Sequence, residues 1–152
     1  RILHQAGDGV FAVRFAINEE DVRAVLKHPS TMIGSDGLGY GSKPHPRHFG
    51  TFPRVLGHYA RNEEVLSMKD AIHKMTGMPA AKFNMIDRGI IRENAFADLV
   101  IFDPLTIIDL ATYENPRQNP TGVPWVIVNG SITVRDSVHT GALSGHGIRR
   151  GQ

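Results

Sequence analysis

The sequence predicts an α/β fold, on three observations. A capped helix over residues 18–28, a tight turn and a short apolar run at 31–34 follow one another as in an α/β unit. Apolar residues then recur with the helical period over 52–60 and again over 68–75. From about residue 88 the period changes to that of strands, and an Asn-Gly turn separates two β-runs at 125–134.

Each element has a local cause. Phe11, Val13 and Phe15 alternate with smaller or polar residues, which predicts a short strand. Asn18 precedes Glu19, Glu20 and Asp21, an N-cap with acidic residues at the positive end of a helix. Val22, Val25 and Leu26 form its apolar stripe, and Pro29 ends it. Thr31-Met32-Ile33-Gly34 predicts a buried strand running into Ser35-Asp36-Gly37. Gly37, Gly39, Gly41 and Gly50, with Pro44 and Pro46, mark a loop over 37–50, and long loops in compact domains are often functional. Thr51 is the expected cap of the next helix, whose face is Phe52, Val55, Leu56, Tyr59 and Ala60. Ser67 with Asp70 caps another, with Met68, Ala71, Ile72 and Met75 facing inward and Gly77 expected at its C-terminal stop. Pro79 serves as a stop or opens a short helical turn through Phe83.

Leu99-Val100-Ile101-Phe102 predicts a buried strand. In the hairpin, a two-residue type I′ turn at Asn129-Gly130 sets Ile127 opposite Ile132 and Trp125 opposite Val134 on one apolar face. The Gly-rich end, 141–152, is expected to be a poorly ordered tail.

Composition excludes several classes. At 152 residues and 16.7 kDa the chain is one domain's worth. With 41% hydrophobic and 21% charged residues it is neither disordered nor fibrous. No apolar stretch approaches the roughly 20 residues of a membrane helix. The net charge of +2 comes from scattered cations, clustered only at Arg149-Arg150, so a nucleic-acid partner is not expected. The absence of cysteine excludes disulfides and thiolate metal sites and fits a reducing, cytoplasmic compartment. The first residue is Arg1 rather than Met and no signal segment follows, so a processed start or a piece of a longer chain is expected, the latter preferred.

Two residues stand out chemically. Asp36 is a carboxylate at the end of a predicted strand and the start of a flexible loop, where α/β barrels place catalytic groups. Capping the following turn is the simpler role that spacing alone leaves open. Arg47 follows two prolines in Pro44-His45-Pro46-Arg47-His48, a stiff support for a planar fork that suits a carboxylate. His45 and His48 do not have a recognised metal-ligand spacing and read as solvated loop histidines. His58 and His73 lie within helical patterns and read as structural or exposed. Gly37-x-Gly39-x-Gly41 lacks the rest of a phosphate-binding motif.

Several segments together resemble one family. Ile33-Gly34-Ser35-Asp36-Gly37, Pro44-His45-Pro46-Arg47 and Gly50-Thr51-Phe52-Pro53-Arg54-Val55-Leu56-Gly57 look like the N-acyl-D-amino-acid deacylases (D-aminoacylases) of the amidohydrolase superfamily. The likeness runs on through Ala71-Ile72-His73-Lys74-Met75-Thr76-Gly77-Met78-Pro79-Ala80, Asp87-Arg88-Gly89, Ala97-Asp98-Leu99-Val100-Ile101-Phe102-Asp103-Pro104 and Val128-Asn129-Gly130. It covers about residues 18–140; the first block is the specific one, whereas the Ala-Asp-Leu-Val and Val-Asn-Gly elements are common to many amidohydrolases.

The resemblance implies a metal-dependent (β/α)8 barrel with a small β-sandwich domain, of which this chain would be the C-terminal part. Residues 1–87 would supply the last barrel strand, Met32–Asp36, and outer helices; 88–140 would supply strands of the β-domain; 141–152 would be the tail. By position, Asp36 matches an aspartate beside the zinc, counted with the metal's ligands, that takes a proton from water held by the metal and gives it to the leaving amide nitrogen. Arg47 matches an arginine that holds the substrate's α-carboxylate, with Ser35 and Gly37 as further substrate-binding positions. The principal zinc ligands would lie upstream, so the chain alone is expected to be inactive, with an N-acyl-D-amino acid as the small-molecule partner of the whole enzyme. A non-catalytic binding or assembly module derived from such a C-terminus is the alternative.

Overall fold

The computed structural model describes residues 13–148. Phe11 and Arg149-Arg150 lie outside them. Val13–Ile17 form no regular structure, and Phe15 and Ile17 are exposed, so the described part of the first expected strand is not one.

Helix α1 spans Glu19–Lys27 and starts as its sequence dictates: the Asn18 side chain accepts from the Glu20 amide at 3.1 Å. Leu26 enters the core, and Val22 packs against it. Helix α2 spans Arg47–Arg54 and continues as a π-helical segment, Val55–Asn62. It therefore begins four residues before Thr51, because the Pro46 ring fixes φ near its helical value and lacks only an N–H the first turn would leave unpaired. Thr51 instead turns its hydroxyl back to the Arg47 carbonyl at 2.8 Å. In the π segment Gly57 is indispensable: a Cβ there would sit 2.2 Å from the Ile107 carbonyl oxygen. Arg61 donates to that same carbonyl at 2.7 Å.

Helix α3 spans Met68–Met75, with the Ser67 hydroxyl accepting from the Asp70 amide at 3.0 Å as expected. The helix ends at the Thr76 cap, so Gly77 stands at the expected C-terminal stop. Gly77 also opens a second short helix, α4, Gly77–Lys82, so Pro79 sits in a first turn. Lys74 of α3 is buried, and its ammonium donates to the carbonyls of His28 and Thr31, tying the end of α1 to α3. The core gathers Leu26, Val55, Leu56, Tyr59, Ala60, Val65, Leu66, Ala71 and Ile107 between the three longer helices and the turn at 103–107.

The four strands β1 Leu99–Ile101, β2 Trp125–Val128, β3 Ser131–Arg135 and β4 Val138–His139 form one antiparallel sheet in that order. Asn129 (φ 48°) and Gly130 (φ 79°) both take the positive φ of a type I′ turn. Ile127 pairs with Ile132 as expected, but an irregularity between Val126 and Ile127 shifts the register beyond it. Trp125 then faces Arg135 instead of Val134, with the guanidinium 5.6 Å over the indole ring. The extra residue is Thr133, buried, whose hydroxyl reaches the Val126 carbonyl at 3.2 Å.

Two expected strands differ from expectation. Residues 31–40 form no strand: Ile33 donates one backbone bond to Lys74, and no strand lies beside it among the described residues to complete a ladder. β1 forms at the edge of the sheet, but Val100 and Ile101, on opposite faces, are each more than half exposed, so neither face is fully covered there. The helices and the sheet enclose a cleft of about 600 Å³ lined by Leu56, Ile72, Met75, Leu99, Val100 and Val126, among others. Residues 141–148 are irregular.

Candidate functional site

Asp36 and Arg47, separate in sequence, meet in space: Arg47 Nη2 lies 2.7 Å from Asp36 Oδ2. The chain holds Asp36 at φ 46°, a left-handed conformation that short polar side chains tolerate best. That turn carries the carboxylate outward, leaving it 77% exposed against 40% for Arg47. Asp36 thus stands at the surface, facing the segment that bears Arg47.

Arg47 is held from behind. Its backbone N–H donates to His45 Nδ1 at 3.1 Å. His45 Nε2 lies 3.2 Å from the Tyr113 hydroxyl, and the two rings meet edge to face at 5.2 Å. His45 is therefore an engaged, half-buried residue and not the solvated loop histidine that its spacing suggested. Burial, and then the Arg47 charge, push its pKa below the usual 6.5, with Asp36 opposing them. Arg47 Nε is buried without a hydrogen-bond partner, so contact with a ligand falls to the exposed end of the guanidinium, which bears Nη2.

The neighbouring positions shape the loop. Ser35 Oγ accepts from the Gly37 amide at 3.4 Å, and Thr51 Oγ1 lies 3.4 Å from the Ser35 carbonyl. Gly37 is needed for close approach: a Cβ there would stand 3.0 Å from His48 Cα and Nδ1, and one at Gly39 would stand 3.2 Å from the same ring. The glycine loop therefore lies over His48. Its far end is fastened by Arg117, which donates to the Gly41 carbonyl at 2.8 Å. Sequence pattern gave no sign of Tyr113 or Arg117, since both sit in an irregular polar stretch without periodicity.

The widespread motif elements form a second cluster, away from this loop. Arg88 contacts Asp98, reaches Asn129 Oδ1 at 3.0 Å and lies 4.1 Å over the Phe96 ring. Asp98 Oδ1 accepts from the Asn129 amide at 2.8 Å, and Asn129 Nδ2 donates to the Ser144 carbonyl at 2.7 Å. These contacts join the segment after α4, the entry to β1 and the hairpin turn. Their role is architectural.

A zinc site needs three or four nitrogen, oxygen or sulfur donors. Among the described residues no group of three His, Cys, Asp or Glu is gathered to hold a metal. Asp36 offers one carboxylate, so these residues do not by themselves make a metal centre. No helix among the described residues is long and apolar enough to cross a membrane.

An acid is thus paired with an arginine on a glycine-rich loop, beside a helix layer and a small antiparallel sheet. The amidohydrolase family model matches residues 1–134, and the chain belongs to that family. Within it the similarity is to deacylases of N-acyl-D-amino acids. D-aminoacylase of Alcaligenes xylosoxydans xylosoxydans is 45% identical over 139 residues, which is 91% of this chain and 29% of that protein. N-acyl-D-aspartate deacylase of the same organism is 44% identical over 131 residues, 86% of this chain and 26% of that protein. A solved D-aminoacylase structure, described for its binuclear metal centre, superposes with a TM-score of 0.82 at 46% identity, covering 85% of this chain and 27% of that one. N-acyl-D-glutamate deacylase of Bordetella bronchiseptica, solved with zinc and a phosphonate mimic of the tetrahedral intermediate, gives a TM-score of 0.76 at 41% identity, covering 78% and 25%. The chain thus spans less than a third of the length of these relatives.

Proposed function

We propose that this chain supplies one corner of a zinc-dependent site that hydrolyses N-acyl-D-amino acids to a carboxylate and a D-amino acid. The observation that carries it is the meeting of Asp36 and Arg47 at 2.7 Å on an exposed face. In this reading residues 1–87 complete a barrel and 88–140 belong to a small β-domain.

Each residue has a task. Asp36 is the acid/base: its exposed carboxylate accepts a proton from the attacking water and delivers it to the amide nitrogen as that bond breaks. Arg47 receives the substrate's α-carboxylate on the exposed part of its guanidinium, where Nη2 now meets Asp36. A carboxylate arriving there competes with Asp36 for the guanidinium and so frees the acid/base as substrate binds. Ser35 and Gly37 shape the turn between them, bringing backbone rather than bulk to the substrate.

Zinc lowers the pKa of a bound water from 15.7 to about 7, equivalent to roughly 12 kcal/mol at 1.36 kcal/mol per unit. A lone aspartate does not supply that, so the purified 152-residue chain with added zinc is expected to show no deacylation. In the complete enzyme, Asp36→Asn should lower kcat by about 10²–10⁴, read by release of free D-amino acid. Near-normal turnover by that variant would remove Asp36 from its role.

A further inference from the structure

We infer that His45 and Tyr113 are positioning residues for Arg47, and that together they set how tightly the substrate's carboxylate is held. This rests on the reading of Arg47 as the carboxylate anchor.

Arg47 is the first residue of α2, so its N–H has no partner within the helix. His45 Nδ1 accepts a hydrogen bond from it at 3.1 Å. An acceptor at Nδ1 fixes the tautomer: the neutral ring carries its hydrogen on Nε2, which is the nitrogen 3.2 Å from Tyr113 Oη. The ring is therefore bonded at both ends, and its orientation is fixed by a residue 68 positions away in sequence. Tyr113 is itself braced by Phe15, ring centroids 5.0 Å apart. A parallel fastening joins the same two segments, where Arg117 donates to the Gly41 carbonyl at 2.8 Å. The stretch around 113–117 thus fastens the loop between Asp36 and Arg47 at its middle, Gly41, and near its Arg47 end, His45. The ionisable groups acting on His45 are Arg47, Asp36 and Tyr113.

The test is kinetic, on the complete metal-loaded deacylase. His45→Ala removes the acceptor, and should raise KM for an N-acyl-D-amino acid about tenfold while kcat stays within about twofold. His45→Asn keeps an oxygen that can accept from the N–H two residues on, as Asn does in an Asx turn, and should restore KM. Tyr113→Phe should raise KM about threefold. Hydrolysis of an N-acyl amine without the carboxylate should be unaffected by all three. Arg47→Ala is the control. If it raises KM and His45→Ala does not, the positioning role is wrong while the anchor stands. If Arg47→Ala itself leaves KM unchanged, the anchor falls and the inference falls with it. Equal losses on both substrates, or no rescue by Asn, would reduce His45 to a structural residue.

Discussion

Two of the arginine–aspartate pairs in this molecule contrast in their surroundings. Arg47 and Asp36 are 40% and 77% exposed; Arg88 and Asp98 are 12% and 34% exposed. The chemistry of the two pairs is the same and their surroundings are opposite. Arg88 lies against the Phe96 ring and bonds Asn129 as well as Asp98, and Asn129 in turn bonds Ser144, so no member can leave without stranding others. Arg47 and Asp36 have each other and water, and either can accept a different partner. A pair that holds the fold together must be closed to competitors, whereas the pair proposed to meet substrate is open to them.

The largest test of that contrast is Arg88→Ala. It leaves the Asp98 carboxylate and the Asn129 amide without their shared donor in a largely desolvated place. Loss of one partner of a buried pair costs about 3–5 kcal/mol, and the partial exposure of Asp98 brings the expectation to about 2–3 kcal/mol. The urea midpoint of the 152-residue chain measures it, and a loss under about 0.5 kcal/mol would erase the distinction. Next in size is coupling. A double-mutant cycle of Arg88→Ala with Asn129→Ala should give an interaction of about 1 kcal/mol or more, since the two share a network. The equivalent cycle on Asp36 and Arg47 should give less than about 0.5 kcal/mol.

The same contrast explains what could be read beforehand. Helix α1 and its Asn18 cap, the Ser67–Asp70 cap of α3 and the Asn129-Gly130 turn were legible because each is decided within a few residues. The shift that moves Trp125 onto Arg135 was not, because the place where Thr133 is squeezed out depends on the sheet and not on the turn. The start of α2 was misplaced at Thr51 because a helix opening on Arg47-His48 shows no side-chain cap and draws on Pro46. Residues 31–36 have the composition of a strand, but a strand exists only beside another. At the site, Asp36 and Arg47 stood out by residue type and setting, and their roles came from resemblance. His45 was read as solvated because the residue that engages it, Tyr113, is 68 positions away in a stretch without pattern.

A smaller effect follows from the lowered pKa of His45. Above pH 6.5 the ring is neutral whether the chain is folded or not, and it adds no pH dependence. As the pH falls below 6.5, the unfolded chain takes up a proton that the folded one resists, so stability declines with acidification until the folded ring titrates too. Protonation also abolishes the acceptor for the Arg47 amide. Melting temperature measured against pH should therefore fall more steeply below 6.5 in the parent than in His45→Asn, where position 45 no longer titrates. Parallel profiles would mean that the ring is freer than its two bonds imply.

The smallest expected effect is the stability change in Asp36→Asn, and its smallness is what makes it informative. Exposed ion pairs contribute about 0–1 kcal/mol, and salt screens them. Asn is isosteric and accepts the left-handed φ of 46° as readily as Asp, so the turn is kept. Arg47 is left hydrated instead of buried with an unmet charge. The urea-unfolding free energy should move by less than about 0.5 kcal/mol, and by less still at high salt. Asp36→Ala separates charge from backbone: it removes the same charge but forces alanine into the left-handed region, at a further penalty of about 1–2 kcal/mol. If Asn destabilised the chain as much as Ala, the carboxylate would be holding the fold together, and the Arg47 pair would belong in the same class as the Arg88 pair.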